Sequence, residues 1–74
     1  MKWSDEGLYS ELLEAINFDD DEEKALALIR KGLEEEKLNV NQTDEEGTSL
    51  LSHAEAACMD DVETLLRENG AVGN

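Results

Sequence analysis

Carboxylates are the most numerous groups in this chain that could do chemistry. The 74 residues include 20 Asp and Glu, and two carboxylates can act as general acid and base when an apolar pocket raises the pKa of one of them. A chain this short has little material for such a pocket, since a small domain buries only about 60% of the surface that its unfolded chain exposes. We therefore expect surface carboxylates, no catalytic residues and no enzymatic activity.

The single cysteine and the single histidine are the other candidates for chemistry. Cys58 and His53 lie five positions apart, and the sequence identifies no Asp or Asn that would orient the imidazole of a nucleophile and base pair. One Cys and one His also fall short of the four ligands of a structural zinc. Cys58 is therefore expected to be a partly buried structural thiol. A lone cysteine excludes an intramolecular disulfide and suits a reducing compartment.

The acidic run from Asp19 to Glu23 invites comparison with a calcium-binding loop. An EF-hand loop needs Gly at its sixth position and Glu at its twelfth. Counted from Asp19, those positions hold Lys24 and Arg30. The sequence also has no Gly-rich phosphate loop and no basic stripe with aromatic residues, so we expect no metal and no cofactor.

The net charge of −14, from 20 acidic and 6 basic residues, restricts the possible partners. Such a charge disfavours direct binding to nucleic acid phosphates and to anionic membrane surfaces. A protein with a basic surface is the natural partner. The sequence shows no signal peptide and no membrane-spanning run, so we expect a cytoplasmic protein or one exported by a route that leaves no such mark.

Apolar residues recur at helical spacing in four segments of the chain. In the first, Leu8, Leu12 and Ile16 follow one another in four-residue steps, which is typical of an amphipathic helix. Gly7 weakens the first turn of this segment, so a start near Leu8 is the alternative. The predicted helices run from about Ser4 to Asn17, Glu22 to Glu36, Ser49 to Ala57 and Asp61 to Glu68.

Cap residues and turns divide these segments. The expected N-caps are Ser4, an Asp of the run 19–21, Thr48 or Ser49, and Asp60 or Asp61. After Gly32 the chain continues either as a longer helix through Glu36 or as a bulged loop, and the Glu-rich composition favours the longer helix. Residues 39–48 predict a finger loop, with Asp44 in an Asx turn and Gly47 at positive φ.

The second half of the chain, from Gly47 to Asn74, has the layout of a short helix, a tight turn, a second helix and a Gly-Ala stop. Leu51 and Ala54 match two positions of the T-P-L-H-x-A signature that opens an ankyrin repeat, a unit of about 33 residues. Asn74 falls 33 residues after Asn41, and the first half looks like an earlier, irregular copy. The chain therefore resembles about two ankyrin repeats.

The resemblance implies an all-α domain over residues 1–74, with two stacked helix-turn-helix units joined by an extended finger loop. Unit one is about 4–38, the finger about 39–48 and unit two about 49–74. Repeat domains usually need about three units, because each buries its apolar face on a neighbour. Nothing follows helix four to cover its outer side, so self-association through that face is a further expectation.

Several positions of the second unit depart from the family pattern. Leu50 replaces its Pro and Ser52 replaces its His, which in the family ties the finger to the helix by hydrogen bonds. Ser52 is too short to copy that reach, so a looser finger is expected. His53 falls where family members usually expose a variable residue, and Cys58 stands at the family's inter-helix Gly.

Ankyrin repeats are, as a family, non-catalytic scaffolds that bind proteins through the finger tips and the first helix of each pair. The resemblance and the charge together imply an interaction module that docks a basic protein. The alternative is an acidic nucleic-acid mimic that inhibits a DNA- or RNA-binding protein, although acidic clusters at both ends of a stack would interrupt one continuous stripe. The implied partner-binding residues are Asp44, Glu45, Glu46 and Thr48 of the finger and His53, Ala56 and Ala57 of helix three.

Overall fold

The computed structural model describes residues 4–71, and its regular structure over that range is four α-helices. They are α1 (Glu6–Asn17), α2 (Glu22–Glu34), α3 (Leu50–Ala56) and α4 (Asp60–Glu68). Helix α1 packs on α2 and α3 packs on α4, while α1 also contacts α3 and α2 contacts α4. Residues 4–71 form no β-strand, only an isolated antiparallel bridge between Thr43 and Ser49. The all-α prediction is confirmed for these residues. Asn74, which the 33-residue spacing uses, lies outside the described residues.

Two of the expected N-caps are confirmed. The Asp21 side chain accepts a hydrogen bond from the Lys24 backbone N–H at 3.1 Å and begins α2. The Ser49 hydroxyl accepts from the Ser52 N–H at 3.2 Å and begins α3. Each satisfies one of the backbone donors that a helix start leaves unpaired.

The cap predicted for α1 is wrong by one residue. Asp5, rather than Ser4, accepts from the N–H of Leu8 at 3.1 Å. Ser4 is buried, and its hydroxyl accepts from the Asn39 N–H at 2.9 Å. The start of the chain is thus fastened to the segment that leaves α2, a long-range contact that local spacing does not reveal.

The cap predicted for α4 is also wrong. Met59 occupies the N-cap position, and its side chain, which has no capping oxygen, makes no capping hydrogen bond and is buried in the core. Asp60 and Asp61 instead lie in the first turn, where negative charge interacts favourably with the helix dipole. A carboxylate from the neighbouring hairpin supplies the missing acceptor, since Glu22 Oε2 accepts from the Asp61 N–H at 3.1 Å.

Three helices end in the same hydrogen-bonded motif, with a residue in the left-handed conformation after the last turn. Those residues are Glu36 (φ 56°), Cys58 (φ 59°) and Gly70 (φ 95°). At the end of α2, the Lys37 N–H returns to the Gly32 carbonyl at 2.7 Å. The longer helix through Glu36 is therefore wrong, because the chain reverses at that residue, while the stop at Gly70 is confirmed.

The core lies where the two helical hairpins meet. Gly32 is buried inside α2 rather than marking its end, and a Cβ built on it would lie 2.6 Å from Leu8 Cδ2 and 2.7 Å from Leu38 Cβ. The absence of a side chain at Gly32 lets α1 and the segment after α2 approach closely. The largest fully buried side chains are Leu12, Ile16, Ile29, Leu50, Leu51, Val62 and Leu66.

Within residues 4–71, no helix combines the length and the apolar character needed to cross a membrane.

Candidate docking cleft

The finger is a compact turn closed by the backbone and side chain of Asp44. The Asp44 carbonyl accepts from the Gly47 N–H, and the Asp44 N–H donates to the Thr48 carbonyl, each at 3.0 Å. Oδ1 accepts from the N–H groups of Glu46 and Thr48, each at 2.9 Å. Gly47 has φ 81°. The predictions of an Asx turn and of a positive φ are confirmed.

His53 fastens this turn to α3. Its Nε2 lies 2.9 Å from Asp44 Oδ2, and its Nδ1 lies 3.3 Å from Asn17 Nδ2 at the end of α1. When the Asn17 amide donates to Nδ1, the ring is neutral and carries its proton on Nε2, which then donates to Asp44. One imidazole therefore links α1, the finger and α3.

This contact corrects two expectations. The side chain of His53 is only 16% exposed, so it is not the exposed variable position that the family pattern implied. The finger is also hydrogen-bonded to α3, and the side chain that makes this contact is His53 rather than Ser52. The signature did not predict this hydrogen bond, because the histidine lies one position after the place of the family's His.

The hydrogen bonds around Asp44 keep its carboxylate ionised. The Thr48 N–H is the largest cause of a lowered pKa, partial desolvation opposes it, and His53 and the Glu46 N–H add to the lowering. Asp44 thus serves the structure of the finger with both of its oxygens.

A cleft of about 590 Å³ lies between α1 and the finger. Its α1 wall consists of Glu6, Tyr9, Ser10 and Leu13, which share one helix face by steps of three and four residues. The facing wall is the stretch 42–46 of the finger. The cleft is therefore built from a helix face on one side and from the acidic turn on the other.

Tyr9 brings an unsatisfied polar atom to this wall. Its hydroxyl oxygen is buried and finds no hydrogen-bond partner among residues 4–71. Burial raises the pKa of this phenol, and the negative charge of Asp44 raises it further. A buried hydroxyl without a partner costs free energy in the folded state.

The cleft is strongly acidic. Carboxylates come from Glu6, Asp44, Glu45 and Glu46, and within residues 4–71 neither Lys nor Arg lines the cleft. The described ion pairs of Lys and Arg lie on other parts of the surface, namely Lys24 with Asp19, Lys37 with Glu35, and Arg67 with Glu55 and Glu63.

A smaller cleft of about 270 Å³ has mixed charge. Lys31 and Lys37 line it together with Asp5, Glu11 and Glu35. Its own cations already offset its carboxylates, so it presents a much weaker attraction to a cationic ligand.

Only some of the partner-binding residues implied by the resemblance line the cleft. Asp44, Glu45 and Glu46 line the cleft, and Glu45 and Glu46 are exposed. Thr48 is half-buried and closes the turn, and His53 is mostly enclosed behind Asp44. Exposed Ala56 and half-buried Ala57 lie at the end of α3 and do not line the cleft.

Sequence reasoning missed the α1 wall. The buried stripe of α1 was predicted correctly at Leu12 and Ile16, but the half-buried residues Tyr9 and Leu13, which line the cleft, were not recognised as a second face. The available signal was a second periodic face, in which Glu6, Tyr9 and Leu13 follow at spacings of three and four.

Cys58 is exposed, so the expectation of a partly buried thiol is wrong. Cys58 has a left-handed backbone conformation (φ 59°) and lies in the turn between α3 and α4. Among residues 4–71, no three His, Cys, Asp or Glu side chains group closely enough to hold a metal ion.

Comparison with protein-family models, with curated proteins and with solved structures finds no match for this chain.

Proposed function

We propose that this protein is a non-catalytic interaction module that docks a basic protein surface through the cleft between α1 and the finger. The proposal treats the two hairpins as ankyrin-like units. The contacts of α1 with α3 and of α2 with α4 support that treatment, as does the compact finger between the units. In such units the first helix and the finger carry the binding surface.

The observation that carries the proposal is the charge of the cleft. Three of its carboxylates, those of Glu6, Glu45 and Glu46, make no ion pair with any described Lys or Arg. Uncompensated charge on the two walls of a concave surface concentrates the potential there and attracts cations. A partner with a basic surface would supply the missing positive charge, mainly increasing the association rate and the specificity.

The nucleic-acid mimic is the less favoured alternative. Glu22 meets Asp61 where the α1–α2 and α3–α4 turns lie side by side, whereas Glu45 and Glu46 belong to the finger. Mimicry of a nucleic acid strand requires acidic groups in a regular series, because each strand of a duplex carries one phosphate charge per about 3.4 Å of helix axis. The separate clusters favour local docking of a basic protein.

A titration of the ¹⁵N-labelled chain with a basic peptide of alternating Lys and Gly tests the proposal. We expect amide shifts grouped on α1 and residues 42–46, and an affinity that falls as salt increases, because exposed charge interactions are screened. The double variant Glu45→Gln, Glu46→Gln should weaken binding. The matched control, Glu23→Gln with Glu34→Gln, removes the same charge from α2, whose residues do not line the cleft, and should weaken it much less.

Equal losses in the two double variants would overturn the proposal, since binding would then follow total charge rather than the cleft. Shifts confined to the inter-helix turns would also overturn it. For a protein partner, displacement by duplex DNA would instead favour the mimic.

A further inference from the structure

We infer that the cleft between α1 and the finger receives an arginine side chain of the basic partner. The inference rests on the proposed function and specifies the group that the partner inserts. It follows from the combination of apolar, aromatic and anionic groups on the two walls.

The α1 wall suits the uncharged part of an arginine. Tyr9 and Leu13, one turn apart and both half-buried, line the cleft. Arginine has a three-carbon stem that packs on apolar surface and a planar guanidinium that stacks on aromatic rings. Tyr9 offers a ring for that stacking, and Leu13 offers a surface for the stem.

The carboxylates available to the guanidinium can be identified from the hydrogen bonds of the finger. Asp44 is occupied, because Oδ1 accepts two backbone N–H groups and Oδ2 pairs with His53. Glu45 and Glu46 are exposed beside it, and Glu6 is exposed on the opposite wall. A guanidinium with five N–H donors can reach carboxylates on two sides at once.

Lysine and metal ions fit this arrangement less well. A lysine ammonium is a compact, strongly hydrated charge that does not stack as a plane on an aromatic ring. The carboxylates of the cleft belong to no group of three ligands close enough for a metal in residues 4–71. Carboxylates on both walls of the cleft suit an extended organic cation.

The test compares two peptides of identical length and charge, one with arginine and one with lysine at each basic position. Binding to the ¹⁵N-labelled chain is measured by NMR at the same salt concentration. We expect the arginine peptide to bind at least about threefold more tightly, as a contact between a cation and an aromatic ring at an exposed site provides. The largest amide shifts should fall at Tyr9, Leu13 and residues 45–46.

Variants of Tyr9 separate the ring from the hydroxyl. Tyr9→Phe keeps a ring and should retain the preference for arginine, whereas Tyr9→Leu should lose it while still binding both peptides. Circular dichroism checks that each variant is folded. The comparison of the two peptides on the unaltered chain needs no variant, so the inference remains testable if Tyr9→Leu fails to fold.

The outcomes distinguish the inference from the proposed function. Equal affinity for the two peptides, with shifts still located at the cleft, would overturn the arginine inference and leave the docking proposal standing. A preference for arginine that survives in Tyr9→Leu would also overturn it. If neither peptide binds at low salt, both proposals are wrong.

Discussion

Replacing Gly32 by alanine should destabilise the protein, although alanine is the better helix former. The higher helix propensity of alanine alone would raise the free energy of unfolding by about 1 kcal/mol at an interior helical position. Here, however, the new Cβ would lie 2.7 Å from Leu38 Cβ and 2.6 Å from Leu8 Cδ2. The Leu8 methyl can rotate away, but the Cβ of Leu38 moves only with its backbone.

That backbone is held in place by the end of α2. The Lys37 N–H bonds to the Gly32 carbonyl at 2.7 Å, so Leu38 is drawn against the very residue that would gain the methyl group. Overpacking of this kind costs about 1–3 kcal/mol. After subtraction of the gain in helix propensity, we expect Gly32→Ala to lower the free energy of unfolding by up to about 2 kcal/mol.

Gly7 provides the matched control. The same substitution there places a Cβ 3.5 Å from Asp5 Oδ2, an ordinary contact, in the exposed first turn of α1. Gly7→Ala should therefore raise the free energy of unfolding by about 0.5–1 kcal/mol. Thermal unfolding followed by circular dichroism measures both variants, and 1 kcal/mol corresponds to a shift of about 4–8 °C in Tm for a domain of this size. Stabilisation of the two variants by the same amount would refute the close approach at Gly32.

Further predictions concern the turns, the cleft and the finger. Glu36→Gly and Cys58→Gly should each raise the free energy of unfolding by about 0.5–1 kcal/mol, because both residues have a left-handed backbone that glycine adopts without strain; a loss in urea unfolding would contradict this. Tyr9→Phe should be stabilising by about 1 kcal/mol in the same assay, since it removes a buried hydroxyl without a partner, and a comparable loss would mean that the hydroxyl is satisfied after all. The carboxyl of Asp44 has a lowered pKa, so its contribution to the finger is present above the unfolded pKa of 3.8 and is lost as the pH falls through the lower, folded value. NMR should show the Thr48 amide resonance shifting as the pH falls through the folded pKa of Asp44. Asp44→Asn should remove this acid transition. An unchanged transition in the variant would assign it to another carboxyl.

The helices were largely predictable because their signals are local. Apolar spacing located all four segments, and Asp21, Ser49 and Gly70 act at their ends as their residue types indicate. Asp44 and Gly47 likewise determine the finger turn through bonds within five residues of chain. These features depend on neighbours in the sequence, which is the information that periodicity and capping rules use.

The errors arose where distant residues decide the outcome. Ser4 resembles a helix cap, but its hydroxyl bonds to a backbone group 35 positions away. Met59 has no capping group, yet burial places it at the start of α4. At Glu36, a residue with good helix propensity takes a left-handed conformation because the returning backbone bond and the packing at Gly32 outweigh that preference.

The cleft shows the same limit. Its acidic side was predictable from the finger residues, whereas its aromatic side lies on a second face of α1, beside the buried stripe of Leu12 and Ile16. Tyr9 and Leu13 line a cleft only because the finger lies along their face of α1. The two walls of the cleft, on α1 and on residues 42–46, are distant in the sequence and come together only in the folded chain.

The exposed sulfur of Cys58 affects any measurement of oligomeric state. Air oxidation would join two copies of the chain through their α3–α4 turns, giving a covalent dimer unrelated to docking through the outer side of α4. Sedimentation with and without dithiothreitol separates the two kinds of dimer, because only the disulfide-linked form reverts to a single chain on reduction. The same thiol, unique in the sequence and away from the cleft, is a suitable attachment point for a fluorophore that reports partner binding.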